Sequence, residues 1–279
     1  MGADELFRRR ASGSQCHQNP ACGQPRPGAD HVLIGGGFNK NPDDVRRSSV
    51  CNCPLTADEG IVETALAGQT YRLGSFSKTI NLATTSAGGM DTGAAPVNGF
   101  VAIYAIYNPV ALTSALQAVN ATSTAAPSIC GGANMPAGYT ASALVSVWAT
   151  DASSLLKIGY KIDRFIWIAG IMVLNTTTAN GTLTALSIAV AVPLNAISVK
   201  IRTSIAAVTS GATVTTSIAG STAQIGISTS SNIAPSGGAG ITAEMGVISI
   251  ITTQTTYYTG AVSSGSIAGF NIIISGYGI

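Results

Sequence analysis

Residues 97–109 read VNGFVAIYAIYNP, and residues 131–148 read GGANMPAGYTASALVSVW. In the first stretch an Asn98-Gly99 turn signal opens a run, Phe100 to Tyr107, made only of β-branched, aromatic and alanine residues. Alternation places Phe100, Ala102, Tyr104 and Ile106 on one face and Val101, Ile103, Ala105 and Tyr107 on the other. Both faces are apolar, so neither suits water. Such a strand is either central in a sandwich or buried against another chain. In the second stretch Ala141, Ala143, Val145 and Val147 share a face, and Ser142, Leu144, Ser146 and Trp148 share the other. Alanine and leucine also suit a helix. Gly138, Val145, Val147 and the Ser/Thr content tilt the reading to strand.

Working outward, the 279 residues suffice for one large β domain or two smaller ones plus an arm. Only 9% are charged, against about 25% in ordinary soluble domains. Mean hydropathy is positive, +0.37. Yet the longest apolar run, FIWIAGIMVL at 165–174, is about half the ~20 residues of a membrane helix. Asp4, Glu5 and Arg8-Arg9-Arg10 without a following apolar core give no secretory leader. A chain so poor in charge and rich in Ser, Thr and Gly is expected to seal apolar surface against copies of itself.

Residues 1–78 hold 9 of the 14 Lys/Arg and 8 of the 12 Asp/Glu, so each part of the chain is near neutral. No basic face marks a nucleic-acid partner. Pro20, Pro25, Pro27, Pro42 and Pro54 and a Gly35-Gly36-Gly37 run predict an extended N-terminal arm over 1–78. Thr56-Ala57-Asp58-Glu59 has capping-box spacing and predicts a short helix over 57–67, ending at Gly68; a loop is the alternative. Beyond lie short predicted strands divided by glycine: TYRLGSF, KTINLAT, the two stretches above, TLTALSIAVAV, AISVKIRTSI, ATVTTSIAG, AQIGIST, GVISIIT, TTYYTGAV and AGFNIIISGYGI. The expected fold is mainly β, antiparallel and sandwich- or jelly-roll-like, with a first β domain over 79–164 and a second over 165–279. No repeat of solenoid length and no heptad shaft is visible.

Chemistry-bearing residues are scarce. His17 and His31, the only histidines, fall in the arm. A glycosidase needs two carboxylates flanking the bond, and beyond residue 78 only Asp91, Asp151, Asp163 and Glu244 are available. No phosphate loop, dinucleotide fingerprint or calcium loop occurs. Cys16, Cys22, Cys51 and Cys53 are candidate disulfide cysteines. Free interface thiols are the plain alternative, and the spacing does not match a zinc finger. Cys130 has no sequence neighbour to pair with and is expected to be buried. Tyr257, Tyr258 and Tyr277 are candidate surface contacts for a sugar, with packing as the default. No catalytic, metal or cofactor residues are assigned.

VNGFVAIYAIYNP, NATSTAAP, GGANMPAGYTASALVSVW, Asp163-Arg164 and the closing TTYYTGAVSSGSIAGFNIIISGYGI together resemble a module of bacteriophage and prophage tail-fibre proteins. The resemblance spans about Val97 to Ile279; residues 1–78 carry none of it. It implies a homotrimeric, non-enzymatic virion protein of the tail. Its arm would dock on other virion proteins, and its C-terminal β domain would bind a host-surface glycan or outer-membrane protein. A purely structural head-decoration, collar or fibre-adaptor role is the alternative, and a glycan depolymerase is disfavoured by the shortage of carboxylates.

Overall fold

The computed structural model describes residues 14–15, 52–130 and 134–279. Among them the chain is all β: fifteen strands, no helix, and every strand pairing antiparallel.

The first sheet has the order β3-β2-β6-β4-β5, with β2 at Asn52–Glu63, β3 at Thr70–Asn81, β4 at Phe100–Asn108, β5 at Thr113–Asn120 and β6 at Ala141–Ala149. The two opening stretches are β4 and β6, paired from Phe100↔Ala149 to Tyr107↔Ala141. Every residue of β6 and all of β4 through Ile106 are buried, as their two-sided apolar pattern requires. The covers come from the chain itself. On one face lies the β2–β3 hairpin: Leu55 and Ile80 meet Ile103, Leu116 and Trp148 around a small cavity, and the Tyr71 and Tyr107 rings pack at 5.2 Å. On the other lies the irregular segment 121–130. There Tyr104 Oη donates to the Pro127 carbonyl (2.8 Å), Leu144 N to the Ser128 carbonyl (2.8 Å) and Cys130 N to Ser142 Oγ (2.8 Å). Burial, and secondarily the Cys130 thiol, push the Tyr104 phenol upward.

The edges of this sheet are also tied. Residues 84–91 bridge them, with Asn81 N donating to the Gly88 carbonyl (2.7 Å), Gly88 N to the Leu116 carbonyl (2.6 Å) and Ala118 N to the Gly89 carbonyl (2.8 Å). This leaves fewer free ladder groups to recruit other strands.

Two sequence expectations are corrected here. The predicted helix 57–67 is the end of β2 followed by a turn. Its capping-box residues follow period two, since Cys53, Leu55 and Ala57 are buried while Thr56 and Asp58 are not; the phase then changes, with Gly60 and Val62 buried. Pairing with β3 along Asn52↔Asn81 to Glu63↔Thr70 outweighs the local helix signal. The boundary drawn at 78/79 cuts β3, so residues 52–78 belong to the first sheet and not to a separate arm. Residues 1–13 and 16–51 lie outside the described residues.

The boundary at 164/165 likewise falls inside a hairpin, β7 (Gly159–Ile162) to β8 (Phe165–Thr176). These strands start a six-stranded sheet, β1-β7-β8-β15-β10-β13. It adds β1 (Ser14–Gln15), β10 (Ser198–Ala207), β13 (Gly240–Ser249) and β15 (Ile267–Gly278). A four-stranded sheet, β12-β11-β14-β9, is made from β9 (Asn180–Ser187), β11 (Thr213–Ala219), β12 (Ser228–Ile233) and β14 (Thr255–Val262). The Phe270 ring of β15 meets Tyr258 of β14 at 5.8 Å, and Gly260 is small because any Cβ there would strike that ring. Val199, Ile201, Ile205, Ile272 and Ile274 from one sheet and Val214 and Ile218 from the other are buried. The predicted strand AQIGIST is mostly turn: Gln224 and Gly226 take φ of 62° and 63°, and β12 starts only at Ser228.

The two parts of the molecule are joined by few, specific bonds. Tyr277 Oη donates to the Val147 carbonyl of β6 (2.8 Å). Ala126 N and its carbonyl pair with the Asn195 amide (2.8 Å each). Tyr277→Phe removes the first of these and leaves a buried carbonyl short of a donor. The expected loss is about 1 kcal/mol, read as a fall in Tm of about 2–4 °C in a thermal melt.

Candidate functional site

The outer face of the four-stranded sheet is the best-defined candidate surface. Along β14, Thr256 is buried and Tyr258 leans on Phe270, so Tyr257 between them points outward. Register sets Tyr257 between Ala185 of β9 and Ala219 of β11. Beside it runs a ladder of hydroxyls. Thr259 lies opposite Ser217, whose Oγ is 3.0 Å from Thr229 Oγ1; Thr215 Oγ1 is 2.9 Å from Ser231 Oγ. None of β9, β11, β12 and β14 contains an Asp, Glu, Lys or Arg. A half-buried tyrosine beside paired hydroxyls offers a ring edge, donors and acceptors, and no charge. That donor set suits a neutral polyhydroxylated ligand.

Of the three tyrosines named from sequence, Tyr257 and Tyr258 are half-buried on β14. Tyr277 is corrected: it is fully buried, its hydroxyl is engaged by Val147, and burial pushes its phenol upward, so it cannot meet a ligand in this fold. It sits on the same sheet face as the core isoleucines of β15, which composition alone did not reveal.

The four carboxylates beyond residue 78 lie apart in the fold; those of Asp91, Asp151 and Glu244 each have a partner, whereas at Asp163 the main-chain carbonyl makes the bond. Asp91 Oδ2 accepts from Asn134 Nδ2 (3.2 Å). Asp151 Oδ1 accepts from the Ser153 and Leu155 amides (2.8 and 3.0 Å), forming a turn. Asp163 occupies the β7–β8 turn with φ of 51°, and its carbonyl accepts from Lys161 Nζ. Glu244 pairs with Lys200 at 3.2 Å. A fifth carboxylate, Glu63, is buried on β2, where Oε2 lacks a hydrogen-bond partner; assignment of 1–78 to an arm concealed it. Among the described residues no cluster of three or more His, Cys, Asp or Glu is arranged to hold a metal ion.

Cys53 is disulfide-bonded. Cys130, the other described cysteine, is half-buried. Cys16, Cys22, Cys51, His17 and His31 lie outside the described residues. Arg164 Nε donates to the Ile279 carbonyl (2.7 Å) and its own carbonyl accepts from Ile279 N (3.1 Å), which pins the chain end to the β7–β8 turn.

No known protein family, curated protein or solved structure matches the chain. No helix among the described residues is long and apolar enough to cross a membrane.

Lys161 was not singled out in the sequence, yet it is a buried amine facing Cys53 and Ser146. Burial first, and the Arg164 charge second, push its pKa down to about 8 from 10.5; Asp163 acts the other way. Between these values the unfolded chain keeps a proton that the folded chain has released, so stability rises with pH across that window. Below about pH 8 the cost of the buried charge is fully present. Denaturant titrations at pH 7.5 and 9.5 are expected to give a higher midpoint at 9.5. Lys161→Met is expected to flatten this difference.

Proposed function

We propose that this chain is a non-enzymatic virion protein of the phage tail-fibre type. In this reading it is a homotrimer that docks on the tail through its N-terminal residues. It presents its C-terminal β-sandwich, the facing four- and six-stranded sheets, to a host-surface glycan or outer-membrane protein. The observation that carries the binding part is the uncharged hydroxyl ladder beside Tyr257 on the outer sheet face. The sequence phrases of 97–148 and 255–279 carry the virion part. The dispersal of Asp91, Asp151, Asp163 and Glu244 over structural bonds supports binding without cleavage. Three weak sites on one particle tip would bind strongly through effective concentration.

The purely structural reading, as a head-decoration, collar or adaptor part, rests on the same face. An uncharged sheet surface also suits burial between copies.

One set of measurements separates these readings. Sedimentation of the purified full chain is expected to give three times the 28.0 kDa chain mass. Immobilised host polysaccharide is expected to retain this species without releasing reducing sugar, and Tyr257→Ala to weaken retention at least tenfold with the mass unchanged. A monomer overturns the trimer, release of reducing ends overturns the non-enzymatic role, and loss of the assembly in Tyr257→Ala favours the structural reading.

A further inference from the structure

The end of the first sheet remote from the junction carries the most exposed aliphatic side chains of the described residues. The turn from β4 to β5 presents Val110 (91% exposed) and Leu112 (75%), and the turn from β2 to β3 presents Leu66 (66%). Register places both turns at one end, since Glu63 and Ile106 both lie opposite Ser142. The junction bond at Val147 is five residues further along β6, about 17 Å away at the rise of a strand. Exposure here is held in place. Asn108 Oδ1 accepts from the Val110 and Ala111 amides (3.0 and 2.9 Å), and Leu112 keeps a φ of 54° that a branched aliphatic residue rarely adopts. In the other turn, Gln69 N donates to Thr64 Oγ1 (3.1 Å), and Ala67 has a φ of 61°.

We propose that this tip docks on the interfacial layer of a lipid bilayer, with Leu66, Val110 and Leu112 entering the acyl boundary. Two features select lipid over protein. Segments 64–71, 107–119 and 134–141 contain no charged residue, and Glu63, next to the β2–β3 turn, is buried. Immediately behind the aliphatic residues stand Tyr71, Tyr107 and Tyr139, all half-buried. The first two rings pack together, and Tyr139 Oη lies 3.5 Å from Thr113 Oγ1. Aliphatic side chains backed by amphipathic tyrosine rings follow the order of a membrane interface. The neighbouring Arg72 is paired with Glu59 at 2.7 Å, so the contact draws on apolar burial and not on anionic headgroups.

This contact is independent of the glycan-facing sheet and of the virion role. The test is flotation of the full chain with pure phosphatidylcholine vesicles at low and high salt. The wild-type chain is expected to float at both. The Leu66→Ser, Val110→Ser, Leu112→Asn variant is expected to float at least tenfold less. Leu112→Asn alone is expected to give an intermediate loss, and asparagine suits the left-handed backbone there, so that variant keeps its fold. A wild-type chain that stays below the vesicles overturns the proposal, as does a folded variant that floats equally well. Variants that change the sedimented mass of vesicle-free protein also overturn it, because the tip then contacts a second copy.

Discussion

The structure depends on burying both faces of one strand pair. β4 and β6 offer no polar side on which water could rest, and the chain as a whole has few charges with which to dress a surface. Two layers therefore had to come from elsewhere in the sequence. The β2–β3 hairpin supplies one and the irregular segment 121–130 the other. Tyr104, Leu144 and Cys130 then fasten the second cover with hydrogen bonds in place of a sheet ladder. The same β6 backbone accepts the Tyr277 hydroxyl, so the pair that organises the first sheet also anchors the second part of the chain.

Strand character was legible wherever period two was strong. Phe100–Asn108 and Ala141–Ala149 follow directly from residue type, and the glycine-divided strands after residue 180 mostly do too. The failures share a cause. Thr56 to Glu59 carries a genuine local helix-start signal, but Cys53, Leu55 and Ala57 supply an apolar face that pairing with β3 rewards more. AQIGIST looks β-prone by composition, while its backbone turns at Gln224 and Gly226. Segment 121–130 has no period at all, so nothing in its residues announces that it covers a core. A strand apolar on both faces has two fates, central in a sandwich or buried against another chain; Phe100 to Ile106 are buried within this chain.

The candidate surface was half legible. TTYYTGAV placed an aromatic pair on a strand, but only register shows that Tyr257 faces out, Tyr258 packs inward and Tyr277 is core. The hydroxyl ladder joins residues 12 to 16 apart in sequence, a proximity set by the β11–β12 hairpin and not by any motif. Lys161 and Glu63, both buried, carry no sequence pattern either. Their burial follows from the folding of residues 52–81 onto β6.

The central claim is that β4 and β6 are sealed by their own chain. Native-state hydrogen exchange on the full protein, followed over a hundredfold dilution, tests it directly. The account requires the amides of Phe100–Asn108 and Ala141–Ala149 to be among the slowest to exchange and their protection to be independent of protein concentration. Protection in these two strands that disappears on dilution would show that a second copy, and not the β2–β3 hairpin and segment 121–130, provides the seal.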